Sequence, residues 1–116
     1  MKILIVDDSK VARSIIRKQV EALNLEVIAE GKDGTEGLSL WKELTPEIII
    51  SDIEMPEMDG ISMSKTIREE DKNVKIIILS SIINKKVTND ALLSGANLVL
   101  PKPLEKADLK KAIEEF

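Results

Sequence analysis

Neither cysteine nor histidine occurs among the 116 residues of this chain. Without cysteine there is no disulfide framework and no thiolate metal site. Without histidine the chain lacks the commonest general acid/base, phosphate carrier and imidazole metal ligand together. Any chemistry must then run on carboxylates, lysines, hydroxyls, backbone groups or a bound hard cation. No apolar run approaches the roughly 18 residues of a membrane span. Lys2-Ile3-Leu4-Ile5-Val6 meets Asp7-Asp8 too early to form the apolar region of a signal peptide. The expected location is therefore the cytoplasm, with no contact to membrane. A formal charge of −4 argues against nucleic acid as a partner. Linkers, low-complexity stretches and solenoid-length repeats are absent as well.

What is present is an ordinary globular composition, 43% hydrophobic and 33% charged, enough for one sizeable core. The length suits a single domain over residues 1–116. Glu47-Ile48-Ile49-Ile50-Ser51-Asp52 organises the rest. Three β-branched residues in a row read as a strand buried on both faces, as inside a parallel sheet. That strand ends on a carboxylate, at the edge where open α/β sheets place their chemistry. Ile3-Leu4-Ile5-Val6 is a second such strand and ends on Asp7-Asp8. Lys75-Ile76-Ile77-Ile78-Leu79-Ser80 is a third and ends on a hydroxyl. Asn97-Leu98-Val99-Leu100 leads into Pro101-Lys102-Pro103, and Glu26–Glu30, with charged ends, reads as an edge strand.

Helical segments alternate with these strands. Ser9 suits the cap of the first, whose face carries Ala12, Ile15, Ile16, Gln19, Val20 and Leu23, and Asn24 suits its stop. The second runs to about Leu44, before Pro46. Ile61, Ser64 and Ile67 mark the expected inner face of the third. The fourth, about Lys85 to Ser94, contains the poor helix formers Val87, Thr88 and Asn89 and stops at Gly95. The fifth starts near Leu104 or Glu105 and presents Leu109, Ile113 and Phe116. Strand-helix repeated five times specifies a doubly wound three-layer α/β sandwich around a five-stranded parallel sheet.

Parallel strands share a carboxyl end, so the polar strand ends fall on one edge. Asp7, Asp8 and Asp52 meet there if the first and third strands are neighbours. Two charges about 4 Å apart repel by roughly 4 kcal/mol at the effective dielectric of a protein surface. Three acids must raise a pKa or hold a cation, and all-oxygen ligands favour a hard ion such as Mg²⁺. Ser80 adds a donor and Lys102 a positive charge. A carboxylate nucleophile, a metal, a lysine and a hydroxyl suit a phosphoryl group in transfer. Each residue also has an everyday use: Asp7 and Asp8 as helix caps, Ser80 at a helix entry, Lys102 as a solvated turn lysine. All of them at matching strand ends form a far more particular pattern.

Leu4-Ile5-Val6-Asp7-Asp8-Ser9, Asp52-Ile53-Glu54-Met55-Pro56-Glu57-Met58-Asp59-Gly60, Leu79-Ser80 and Pro101-Lys102-Pro103 resemble the receiver domain of bacterial two-component response regulators, the CheY-like group. The resemblance spans the whole chain. It implies a flavodoxin-like strand order of 2-1-3-4-5. It implies that Asp52 accepts a phosphoryl group from a sensor histidine kinase or phosphotransfer protein. It further implies that Asp8 and Asp52 ligate Mg²⁺ (or Mn²⁺ in its place), Asp7 acts through water, and the Glu54 backbone carbonyl completes the set. Lys102 would contact the phosphoryl oxygens, Ser80 would swing to hydrogen-bond them, and the Lys102-Pro103 peptide would be cis. The face of the fourth helix, fifth strand and fifth helix would then meet a downstream target or an output domain, with the chain a monomer or weak dimer. A receiver of this kind turns over no external substrate.

Three residues depart from the pattern. Val99 stands where many members carry a switch aromatic, Glu54 where Asn is frequent, and Ile82 two beyond the switch hydroxyl. An aspartyl-nucleophile phosphatase is the competing reading. Glu54 occupies its second carboxylate position, but no segment is available to build a cap. A flavin module of the same fold would need a phosphate loop after the first strand, where Asp7-Asp8 would repel the phosphate.

Overall fold

The computed structural model describes residues 1–116. Five strands and five helices alternate along the chain: β1 (Lys2–Val6), α1 (Lys10–Ala22), β2 (Glu26–Gly31), α2 (Gly34–Leu44), β3 (Ile48–Asp52), α3 (Gly60–Glu70), β4 (Lys75–Ser80), α4 (Lys85–Leu93), β5 (Leu98–Pro101) and α5 (Lys106–Glu114). The strands are all parallel, in the order β2-β1-β3-β4-β5. The expected three-layer sandwich and strand order are therefore the observed ones.

Side-chain alternation along the central strands divides the core into two. Ile3, Ile5, Ile48, Ile50, Ile77 and Leu79 face α1 and α5, where Ile16, Val20, Leu109 and Ala112 meet them. Leu4, Val6, Ile49, Ile76 and Ile78 face the other side, against Trp41 of α2, Met63 and Ile67 of α3 and Ala91 of α4. Burial on both faces explains why these strands are continuous isoleucine and leucine runs.

Local signals set the helix ends. The Ser9 hydroxyl accepts from the Ala12 N–H at 3.1 Å, so Ser9, not Asp7 or Asp8, caps α1. Asn24 follows α1 at φ 61°, in the left-handed region that asparagine tolerates. Asp33, Asp59 and Asn84 cap α2, α3 and α4 in the same way.

Two faces differ from expectation. Gly60, Met63, Ser64 and Ile67 are the buried residues of α3, and Ile61 is half-buried at its side. The Asp59 cap starts the helix one residue before Ile61, and that phase turns Met63 inward. On α1, Ile15 is 40% exposed while its neighbour Ile16 is buried, so the inward stripe is narrower than the apolar one.

Candidate functional site

The carboxyl ends of β1 and β3 are adjacent because those strands pair directly, Val6 opposite Ser51. Asp7 and Asp8 leave β1 and Asp52 closes β3. Their carboxylates each offer an oxygen within 4.8 Å of the others. Asp7 is fully buried, Asp52 half-buried and Asp8 exposed, so the cluster runs from core to solvent.

Asp7 is held at both oxygens. Its Oδ1 accepts from the Ser9 N–H at 2.9 Å and its Oδ2 from Lys102 Nζ at 2.9 Å. Lys102 Nζ also lies 3.3 Å from Asp52 Oδ1, so one ammonium bridges the two acids. Asp52 Oδ1 accepts a further bond from the Ile53 N–H at 2.9 Å. Burial and the nearby Asp7 charge push the Asp52 carboxyl above its ordinary value, against the opposing pull of Lys102. Burial disfavours the Lys102 charge, but the hydrogen bond to Asp7 and the Asp52 charge outweigh it and raise its pKa. The Lys102-Pro103 peptide is cis, as the resemblance implied.

The cluster is all oxygen, with no nitrogen or sulfur donor, which is the ligand chemistry of Mg²⁺ or Mn²⁺. It already attracts one positive charge, that of Lys102. The residues present therefore fit a hard divalent ion.

An open cleft of about 210 Å³ lies beside the acids, lined among others by Asp52, Glu54, Ser80, Ile82, Val87 and Lys102. Glu54 is exposed on its rim. Ser80 lines the cleft, yet its hydroxyl is engaged with the following loop. It donates to the Ile82 carbonyl at 2.7 Å and accepts from the Ile82 N–H at 3.1 Å. The structure thus brings Asp7, Asp8, Asp52 and Lys102 into contact distance. It places Glu54 and Ser80 at the cleft walls.

Two glycines hold the loop beside this site in place. A Cβ on Gly60 would overlap the Asp52 carbonyl oxygen, and the Gly60 N–H donates to the Ile53 carbonyl at 2.7 Å. A Cβ on Gly34 would overlap the Met58 carbonyl oxygen, which accepts from the Gly34 N–H at 2.9 Å. The loop that follows Asp52 is thereby pressed against the starts of α2 and α3. An Asp-Gly pair at each helix start was the available signal, since Asp caps and Gly permits close approach.

Comparison with known proteins gives the same picture. The model of the response regulator receiver domain matches residues 3–114. The chemotaxis protein CheY of Listeria monocytogenes is 34% identical over 115 residues, covering 99% of this chain and 97% of that one. A protein-glutamate methylesterase/protein-glutamine glutaminase of Trichodesmium erythraeum is 38% identical, but the match covers only 33% of that longer protein. A chain in the crystal structure of the CheX–CheY–BeF3–Mg²⁺ complex from Borrelia burgdorferi superposes with a TM-score of 0.93 at 30% identity, over 99% of this chain and 87% of that one. With an acid cluster at the β1 and β3 ends and a lysine bridging it from the turn after β5, this chain belongs to the response regulator receiver domain family.

Proposed function

We propose that this receiver, as a single domain over residues 1–116, is the phosphoacceptor of a two-component pathway and that Asp52 takes the phosphoryl group. The observation that carries this is the Lys102 ammonium bridging Asp7 and Asp52 beside the open cleft. Asp52 Oδ1 is occupied by the Ile53 N–H and Lys102. Its Oδ2 accepts no hydrogen bond from the protein and is the oxygen free to act as nucleophile.

In the transfer, an Asp52 carboxylate oxygen attacks phosphorus on a phosphohistidine of the donor protein. The P–O bond forms as the P–N bond breaks, and the departing imidazole keeps the electron pair and takes up a proton. Lys102 sits where it can share charge with the phosphoryl oxygens while still pairing with Asp7. A Mg²⁺ or Mn²⁺ ion held by Asp8, Asp52 and the Glu54 backbone carbonyl, with Asp7 through water, would neutralise charge that the acids and the phosphate otherwise add. Ser80 must leave Ile82 to donate to the phosphoryl group, which ties the loop before α4 to the state of Asp52.

A protein donor suits the surroundings better than a small molecule. Exposed Ile15 and Ile82 line two separate hollows that both include Lys102. The α4–β5–α5 face would carry the change to a downstream partner or output domain. Val99 in β5 packs into the core on the α2–α3–α4 side, so that signal passes without an aromatic lever. No helix is long and apolar enough to cross a membrane, in keeping with a cytoplasmic signalling role.

The test is incubation with acetyl phosphate and Mg²⁺ followed by intact mass. One phosphoryl group should add to the parent and none to Asp52→Asn. Labelling that persists in that variant would remove Asp52 from the role. Continuous turnover of the donor would instead favour the phosphatase.

A further inference from the structure

Asp7 occupies the point where β1 leaves the sheet. Its N–H still donates to the Gly31 carbonyl at 3.0 Å, as a last rung between β1 and β2. Its carbonyl has no strand to pair with. Arg13 of α1 supplies that donor instead, with Nη1 2.7 Å from the Asp7 oxygen. The peptide joining Asp7 to Asp8 is thus fixed by a guanidinium from the helix above it.

Arg13 is itself anchored. Its Nε lies 3.0 Å from Glu30 Oε1, and Arg17 Nε lies 2.7 Å from Glu30 Oε2. Arg13 is only 17% exposed. Glu30 reaches α1 because β2 is irregular. Val27 packs on the α1–α5 side, whereas Ala29, two residues on, packs on the opposite side. A regular strand would keep both on one face. The register slips between Ile3, opposite Val27, and Leu4, opposite Ala29. That extra residue reverses the alternation and turns Glu30 toward α1, the way a bulge re-aims a side chain beside a functional site.

We infer that Arg13, held by Glu30, is a positioning residue that sets the Asp7–Asp8 peptide and with it the geometry of the acid cluster. It touches no phosphoryl oxygen and acts through the backbone between two metal-facing carboxylates. Partners of this kind, one step behind the ligands, are worth about 10- to 100-fold in metal affinity. Arg17 shares the Glu30 carboxylate but makes no hydrogen bond to Asp7, so it separates the positioning effect from the loss of an ion pair.

The inference rests on the proposed acid site, and Mg²⁺ titration by calorimetry tests it apart from phosphorylation. Arg13→Gln should weaken Mg²⁺ binding about tenfold or more. Arg17→Gln should stay within about twofold of the parent, and Glu30→Gln should fall between. Thermal melts without metal should drop for both arginine variants, since each loses a Glu30 contact, and further for Arg13→Gln, which also leaves the Asp7 carbonyl without its donor. Should Arg13→Gln not fold, Arg13→Lys, which cannot span both oxygens with a planar fork, takes its place with the same expected direction. Equal Mg²⁺ affinity in the Arg13 and Arg17 variants overturns the positioning role, as does a parent that binds no Mg²⁺. A parent that binds Mg²⁺ but accepts no phosphoryl group overturns the proposed function and leaves the Arg13 comparison standing.

Discussion

The Ser80 hydroxyl and the Ile82 backbone form a closed pair: one hydrogen bond runs out to the Ile82 carbonyl at 2.7 Å and one comes back from its N–H at 3.1 Å. Each is worth about 1 kcal/mol net, and a bond from the hydroxyl to a charged phosphoryl oxygen about 1.5–3 kcal/mol. Leaving Ile82 for the phosphoryl group is therefore nearly balanced. Ile82 and Ile83 are 58% and 51% exposed, so a change in their burial, up to roughly 1.5–3 kcal/mol for a full isoleucine, decides the outcome. Hydrogen exchange with and without beryllofluoride should show changed protection across residues 81–90. Changes confined to the loops after Asp8 and Asp52 would refute this account.

Asp52→Asn should be more stable than the parent at neutral pH without divalent ions. Burial raises the folded-state pKa of Asp52 above its ordinary 3.8. The stability this group contributes is then present below pH 3.8 and lost as pH rises through the folded value. An ionised Asp52 is a cost at pH 7, and the amide removes it. Thermal melts should show the variant ahead at pH 7 and the difference shrinking toward acid. A variant melting at or below the parent at pH 7 would contradict the sign.

Lys102→Ala should act the opposite way. It strips the fully buried Asp7 carboxylate of its only ammonium partner. Breaking a buried pair typically costs 3–5 kcal/mol, and the partial exposure of Lys102 places this case near about 3 kcal/mol. Added Mg²⁺ should recover part of the loss, because the acids then regain a cation. Urea unfolding with Mg²⁺ and with chelator measures both effects. Indifference of the variant to Mg²⁺ would count against a shared acid-cation site.

Asp71 gives a pH dependence far from the cleft. Burial opposes its charge, but donors from Trp41 Nε1 and the Asn73 and Val74 N–H groups, each at 3.0 Å, outweigh that and lower its pKa below the ordinary 3.8. A lowered folded-state pKa contributes stability above pH 3.8 that disappears as pH falls through the folded value. Asp71→Asn should be less stable than the parent at pH 7, and the two should converge below pH 3.8. Unfolding curves followed by fluorescence of Trp41, the single tryptophan, give the comparison. Parallel curves from pH 7 to 3 would exclude Asp71 as the source.

The strand ends were legible because isoleucine runs such as Ile48–Ile50 leave no wet face for a charge, so a terminal Asp stands out. The strand-helix alternation then placed Asp7, Asp8, Asp52 and Lys102 on one edge without any contact being known. On α3, Ser64 and Ile67 face inward as their spacing indicates, and only Ile61 sits at the side, because the Asp59 cap sets a helix phase that brings Gly60 and Met63 inward. The Arg13–Glu30 link was invisible for a different reason. It depends on an irregularity within Val27-Ile28-Ala29, and three apolar residues in a row carry no mark of a slipped register. The Ser80–Ile82 pair was hidden too, because a serine at a strand end can turn either way.

Lys102 and Asp7 lie 95 positions apart in the chain, each just past the end of a strand, and those strands are separated by two others in the sheet. Their meeting cannot be rehearsed by any fragment of the fold. Asp52 and the β1 acids can come together once β3 has docked, but the ammonium that tempers them arrives only with the turn after β5. A ribosome-bound chain still short of residue 102 would hold three acids with no lysine among them. Under the proposed function, readiness to take a phosphoryl group would then be a certificate of completed folding, withheld from partly made or partly unravelled chains.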